Sequence, residues 1–267
     1  MLASRHLSSS TAETIPWRWA AFGIMAGLML AMVWLAPAIW LATALDKTTS
    51  GRIRFIETAG TVWTGSGRVL LTGGDGSRDN ATLPGRVDWK LRLNGFALGL
   101  ELNAPCCTPR PLQARVQPRR HGVSVQIVDG ASAWPASLLE GLGAPWNTLQ
   151  ANGTLRLTTQ NLSLLWLQQQ LTVAGQAALT AVAVSSNLTT VKPMGSYQLL
   201  LSGGDAVEVR LTTIDGSLQL SGSGRWVGPR ISFEGSASAA PGYETALENL
   251  LNIIGRRSGT RSIFTLG

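Results

Sequence analysis

The chain has 267 residues, 45% hydrophobic and only 14% charged, against about 25% charged in ordinary soluble domains. Its net charge is +7, of which Arg5, Glu13 and Arg18 contribute +1, leaving +6 on the remainder. Beyond the pairs Arg119-Arg120 and Arg256-Arg257 the nineteen Arg and three Lys are scattered, which argues against a nucleic-acid stripe and suits anionic lipid headgroups better.

The first feature in chain order is apolar. Residues 20–45 hold no charge and are rich in Leu, Ala, Met, Ile and Trp, long enough for a helix of about 20 residues to cross a bilayer. Trp17 and Trp19 stand at its start, and Trp34 and Trp40 toward its far end, where indole rings favour the headgroup region. Pro37 is expected to kink or end the helix, because it lacks an N–H and clashes with the preceding turn. The competing reading is a cleaved signal peptide ending at the small-residue site Ala42-Thr43-Ala44, but such peptides have apolar cores of only about 7–15 residues. The expected organisation is a cytoplasmic tail over 1–19, a transmembrane helix over 20–45, and a β-rich domain over 46–267 outside the cytoplasm.

After Lys47 the period changes to two. Val87, Trp89, Leu91 and Leu93 alternate with Asp88, Lys90 and Arg92, placing apolar and charged side chains on opposite faces of a strand. Similar runs occur at Ile53-Phe55, Val123-Val125-Ile127, Leu155-Leu157, Leu171-Val173, Val207-Val209-Leu211 and Leu218-Leu220. Turn signals separate them at Gly73-Gly74-Asp75-Gly76, Gly203-Gly204-Asp205 and Gly222-Ser223-Gly224, and Asp215-Gly216 is a hairpin signal. About a dozen short antiparallel strands follow from this pattern. Two stretches break it as short helices: Ala136 to Leu142, and Tyr243 to Ile254 with Leu247, Leu250, Leu251 and Ile254 at helical spacing. Gly255 is expected to stop the second. The fold class is mainly β: an N-terminal transmembrane helix, then a long, mostly antiparallel, curved sheet with two short helices.

Catalytic chemistry finds little support. The chain has no G-x-S-x-G elbow, H-E-x-x-H helix, G-x-G-x-x-G or P-loop. His121 is the one histidine outside the N-terminal tail, and it reads as a solvated loop residue beside Arg119 and Arg120. Cys106 and Cys107 are adjacent, so they form either two loop thiols or a small local disulfide and cannot staple distant segments. No enzyme, cofactor or metal site is expected. Trp63, Trp89, Trp134, Trp146, Trp166 and Trp226 read first as strand packing and secondly as lining for a groove or partner surface.

The order of these features resembles the type II secretion system protein N family. The residues that carry the likeness are Ala36-Pro37-Ala38, Trp40-Leu41, Gly51-Arg52, and Gly60-Thr61-Val62-Trp63-Thr64-Gly65-Ser66. Leu83-Pro84-Gly85-Arg86 leading to Trp89, and Leu250-Leu251 through Ile254-Gly255-Arg256, complete it. Gly60, Trp63, Gly65, Pro84, Gly85 and Trp89 are the candidate motif positions, with Trp17, Trp19, Trp34, Pro37 and Trp40 as membrane-anchor residues. The resemblance implies a single-pass inner-membrane protein of Gram-negative bacteria, N-terminus cytoplasmic and domain periplasmic. It further implies a non-enzymatic accessory of the secretion platform, with platform subunits and the secretin as partners. An alternative from another class is a periplasmic lipid-binding or lipid-transfer protein, like AsmA-like and lipopolysaccharide-bridge proteins, holding acyl chains on an apolar sheet face.

Overall fold

A computed structural model describes residues 17–74, 76–144, 146–168, 170–204, 206–227 and 230–266. Most of the expected tail over 1–19, and Asp75 and Asp205 of the two glycine-rich loops, lie outside the described residues. The chain divides into two compact units between Ala36 and Pro37.

The apolar run is two helices, α1 (Trp17–Trp34) and α2 (Ala38–Thr48). Pro37 lies between them with extended backbone, φ −69° and ψ 147°, as its ring and missing N–H require. α1 exposes large apolar side chains such as Phe22, Ile24, Leu28 and Leu30, and its 18 residues are about 27 Å long at 1.5 Å per residue. Among the described residues no helix is long and apolar enough to cross a membrane. Residues 38–45, expected inside the span, belong to the second unit. There α2 packs on the first strand, burying Ala38 and Ala42, and Asp46 pairs with Arg54 at 2.9 Å.

Sixteen strands are described: β1 (Ile53–Gly60), β2 (Thr64–Thr72), β3 (Asn80–Thr82), β4 (Val87–Asn94), β5 (Ala97–Asn103), β6 (Leu112–Arg119), β7 (Gly122–Ile127), β8 (Gly130–Pro135), β9 (Asn152–Leu167), β10 (Gln170–Ser185), β11 (Gly195–Ser202), β12 (Glu208–Gly216), β13 (Leu218–Val227), β14 (Arg230–Ala239), β15 (Arg256–Ser258) and β16 (Arg261–Leu266). Hydrogen bonding runs β1-β2-β4-β5-β6-β7-β9-β10-β11-β12-β13-β14-β16-β15, with β3 on β2 and β8 on β9. It is a nearly pure antiparallel meander, as the hairpin signals predict. The strands are not all short: β9 and β10 have 16 residues each. Their shared register shift, with Asn161 at φ 49°, is a bulge that lets a strand continue where the alternation changes phase.

The Ala136–Leu142 stretch is a 3₁₀ helix, followed by a single turn α3 (Trp146–Leu149), and the expected C-terminal helix is α4 (Glu244–Ile254). The reading of Gly222-Ser223-Gly224 as a turn is corrected, and Gly255 is the stop of α4 as expected. Gly222 and Gly224 do not punctuate strands; they lie inside β13, because the Phe233 ring on β14 occupies the space above them. A Cβ at Gly222 would stand 2.6 Å from Phe233 Cζ. Gly255 ends α4 without a left-handed cap. Its backbone is extended, φ −171°, and a Cβ there would meet the Ile263 carbonyl oxygen at 2.3 Å, so close approach of β16 is what requires glycine.

Register gathers the apolar residues on one face. Trp89, Leu91 and Leu93 of β4 oppose Leu102, Leu100 and Leu98 of β5, which oppose Leu112, Ala114 and Val116 of β6. Val116 opposes Val125 of β7, and Val125 opposes Leu164 of β9. The core on this face is divided into three clusters. Leu247, Leu250 and Leu251 of α4 cover Met194, Tyr197, Leu218 and Ala237. Leu138 of the 3₁₀ helix joins Leu83, Val87, Ala104 and Cys107. Leu162, Val173 and Val207 form the third, between them.

Candidate functional site

Four of the six candidate motif positions, Gly60, Trp63, Gly65 and Trp89, come together at the β1–β2 hairpin. Gly60 and Gly65 pair across the β1–β2 hairpin, closed by the Thr61 N–H donating to the Thr64 carbonyl at 2.8 Å. The Trp89 indole crosses from β4 onto this hairpin and donates from Nε1 to the carbonyls of Val62 at 3.1 Å and Thr61 at 3.3 Å. Gly65 is the residue beneath it: a Cβ there would lie 2.5 Å from Trp89 Cζ2. Phe55 tilts against the same indole with centroids 5.2 Å apart, and Trp89 is left 2% exposed. A buried indole with its N–H satisfied satisfies both its apolar and its polar requirement.

Trp63 and Pro37 reach this hub by backbone contacts. The Trp63 carbonyl accepts from the Leu91 N–H at 2.7 Å. Pro37 bridges to Thr61, so the start of α2 is tied to the same hairpin. Pro84 and Gly85 form an exposed turn just before β4 and do not touch the indole. They place Arg86, which donates to the Glu57 carbonyl at 2.7 Å and to Ser66 Oγ at 3.1 Å. Trp40 of α2 is exposed, as are Trp17, Trp19 and Trp34 of α1.

The polar face of β4, β5, β6, β7 and β9 forms an open basin of about 760 Å³, in which Lys90, Arg92, Glu101, Arg115, Gln126 and Asp129 stand together. Lys90 approaches Glu101 at 3.9 Å, and the Asp129 carboxylate accepts from the Asn161 N–H at 2.5 Å. Mixed charges on an open sheet face can hydrogen-bond a polar partner but lack a general base aimed at a bound atom. Among the described residues no group of three or more His, Cys, Asp or Glu could hold a metal ion. His121 is an exposed residue of the β6–β7 turn.

Cys106 and Cys107 are joined as a local disulfide in the turn after β5. Cys107 is buried in the cluster with Leu83 and Val87, and its carbonyl accepts from the Ala133 N–H at 2.7 Å. Trp134 is partly buried against that cluster, while Trp146 and Trp166 are exposed. Sequence reasoning could not see which apolar side chains the covering helices leave bare. The alternation marks the face; only the register shows where along it the cover stops.

No curated protein and no solved structure matches the chain. A family model described as type II secretion system, protein N matches residues 52–264. That range runs from the start of β1 to within β16 and takes in the Trp89 hub. The chain therefore belongs to the type II secretion system protein N family.

Proposed function

We propose that the chain is a non-catalytic accessory of the secretion platform in the inner membrane, holding a periplasmic sheet domain beside platform subunits and the secretin. The family match over the sheet carries this reading. α1 supports the anchor, because a helix apolar on every side belongs in a core or a bilayer, and its large side chains are exposed. Trp17 and Trp34 at its two ends fit the headgroup zones. A tether raises the effective concentration of the domain for other membrane-held components without any new contact. The polar basin and the edge strands β1 and β15 offer hydrogen-bonding surface for them.

The test is deletion of residues 1–36, which leaves α2 on the sheet. Secretion is expected to fail while the exported domain folds, and pull-down of the intact chain from membranes is expected to capture platform subunits or the secretin. Full secretion by the untethered domain overturns the proposal.

A second reading, a lipid carrier, is favoured by one observation: the apolar face continues from β4 to β9 without a polar row. Stoichiometric lipid in mass spectra of the purified chain would support it, and lipid-free protein that still captures secretion subunits would reject it.

A further inference from the structure

Antiparallel alternation puts the β4–β5, β6–β7 and β9–β10 turns at one end of the sheet. The last two lie side by side, with the Gln168 N–H facing the His121 carbonyl. The outermost rung there can be followed strand by strand. Pro118 pairs with Val123 and Val123 with Trp166. On the other side, Leu98 opposes Val116, which puts Phe96, two residues before Leu98, level with Pro118. Pro118, Val123 and Trp166 thus form one row on the apolar face, and Phe96, a residue of the β4–β5 turn, stands level with its end, the whole about 14–20 Å long at 4.8 Å per strand.

This row is uncovered. Phe96 is 96% exposed, Trp166 53% and Val123 40%, and Pro118 is exposed as well. Single exposed apolar residues are ordinary, but an aligned row that includes two aromatic rings is a contact surface. The same end is basic: Arg119 closes β6 and Arg120 is in the β6–β7 turn, both exposed, while Arg92 is exposed on the opposite, polar face of β4. The three turns, residues 94–97, 119–122 and 167–170, contain no Asp or Glu.

The position of the chain's junction decides among occupants. Pro37, where the sheet unit begins, bridges to Thr61 in the β1–β2 turn, and Trp63 of that turn bonds Leu91. That turn points to the same end as the β4–β5 turn, about four residues or 13 Å short of it along the strands. Pro37, the first residue of the sheet unit, therefore stands toward the end that carries the bare rings and the arginines. Aromatic rings flanked by basic side chains are what the interface of an anionic bilayer takes up.

We propose that this turn end docks onto an anionic membrane surface, with Phe96, Val123 and Trp166 entering the headgroup layer and Arg119 and Arg120 meeting phosphates. The proposal rests on the anchor reading above, and the following experiment separates the two. The full-length chain, carrying bimane at Gln168→Cys or, at the opposite end, at Thr190→Cys, is reconstituted in phosphatidylethanolamine and phosphatidylglycerol vesicles containing acyl-brominated lipid. Carbonate extraction of the same vesicles reports the anchor.

Lipid quenching at 168 and not at 190 is expected. Phe96→Ser with Trp166→Ser should abolish it while leaving the far-end signal unchanged. Arg119→Gln and Arg120→Gln should each lower the ratio of docked to undocked ends by about five-fold at low salt. Quenching at 168 by aqueous iodide instead of lipid, in a chain that resists extraction, overturns the docking and leaves the anchor standing; it is also the result if the row is reserved for a protein partner. Extraction of a chain whose 168 label is lipid-quenched overturns the anchor and leaves the docking standing.

Discussion

α2 and α4 each have eleven residues, and each covers one flank of the same sheet in a different way. α4 lays Leu247, Leu250 and Leu251 onto β14 and β16 at i, i+3 and i+4, with its polar residues outward. Its last turn is held as well, since buried Ser262 donates from Oγ to the Leu251 carbonyl at 2.6 Å, satisfying one of the carbonyls that a helix end leaves unpaired. α2 touches β1 through two small residues, Ala38 and Ala42, and turns Ile39 and Trp40 outward. One helix is a plug held by burial of large side chains. The other is a strap held by close backbone approach, the Asp46–Arg54 pair and the Pro37–Thr61 bridge.

The contrast predicts opposite sensitivities, and the largest belongs to α4. Leu250 is 1% exposed, and Leu250→Ala should lower unfolding free energy by about 2–5 kcal/mol, read by the denaturant midpoint of the sheet signal. A loss below about 1 kcal/mol would mean that α4 is dispensable to the sheet and that the plug description is wrong.

α2 should respond to enlargement where α4 responds to truncation. Ala42 is 5% exposed, so Ala42→Leu should cost about 1–3 kcal/mol by overpacking. Trp40→Ser on the outer side should stay within about 0.5 kcal/mol. If Trp40→Ser costs more, α2 is held by its outward face and the comparison collapses. The same buried alanine bears on the cleavage site Ala42-Thr43-Ala44. The site lies within a helix docked on the sheet, and a protease that needs extended backbone would have to pull α2 away first.

How far the sequence foretold this depends on which interactions are periodic. The period-two runs located the strands, and the heptad-like spacing of Leu247, Leu250 and Leu251 located α4, because both features bury side chains at regular intervals. In sequence α2 resembles the far end of a membrane span, since its buried residues are alanines and its large side chains look alike whether they meet lipid or water. Gly222 and Gly224 look like turn residues in sequence, since nothing local shows that Phe233 lies over them. The motif positions around Gly60, Gly65 and Trp89 were legible as a pattern, but their meaning was not: the register of three strands is needed to place an indole on a glycine. The bare row from Phe96 to Trp166 was hidden for the same reason.

A smaller effect than that of either buried helix residue, and of opposite sign, tests how well the plug fits. Tyr197 is buried beneath α4 in the cluster with Leu247 and Leu251, and among the described residues its hydroxyl has no hydrogen-bond partner. Burial, with Asp215 adding repulsion, raises its pKa above the ordinary 10.0. The folded protein therefore keeps the proton where the unfolded chain gives it up. Stability is therefore independent of this group's titration below pH 10 and falls as pH rises beyond it. An unsatisfied buried hydroxyl is a cost that the apolar isostere removes, so Tyr197→Phe should stabilise the sheet by about 1 kcal/mol at neutral pH. It should also flatten the decline of stability above pH 10, the reading that distinguishes loss of the hydroxyl from general repacking. A destabilised variant would mean that the hydroxyl holds a water or a polar contact under α4, and that the plug, like the strap, depends on a polar tie.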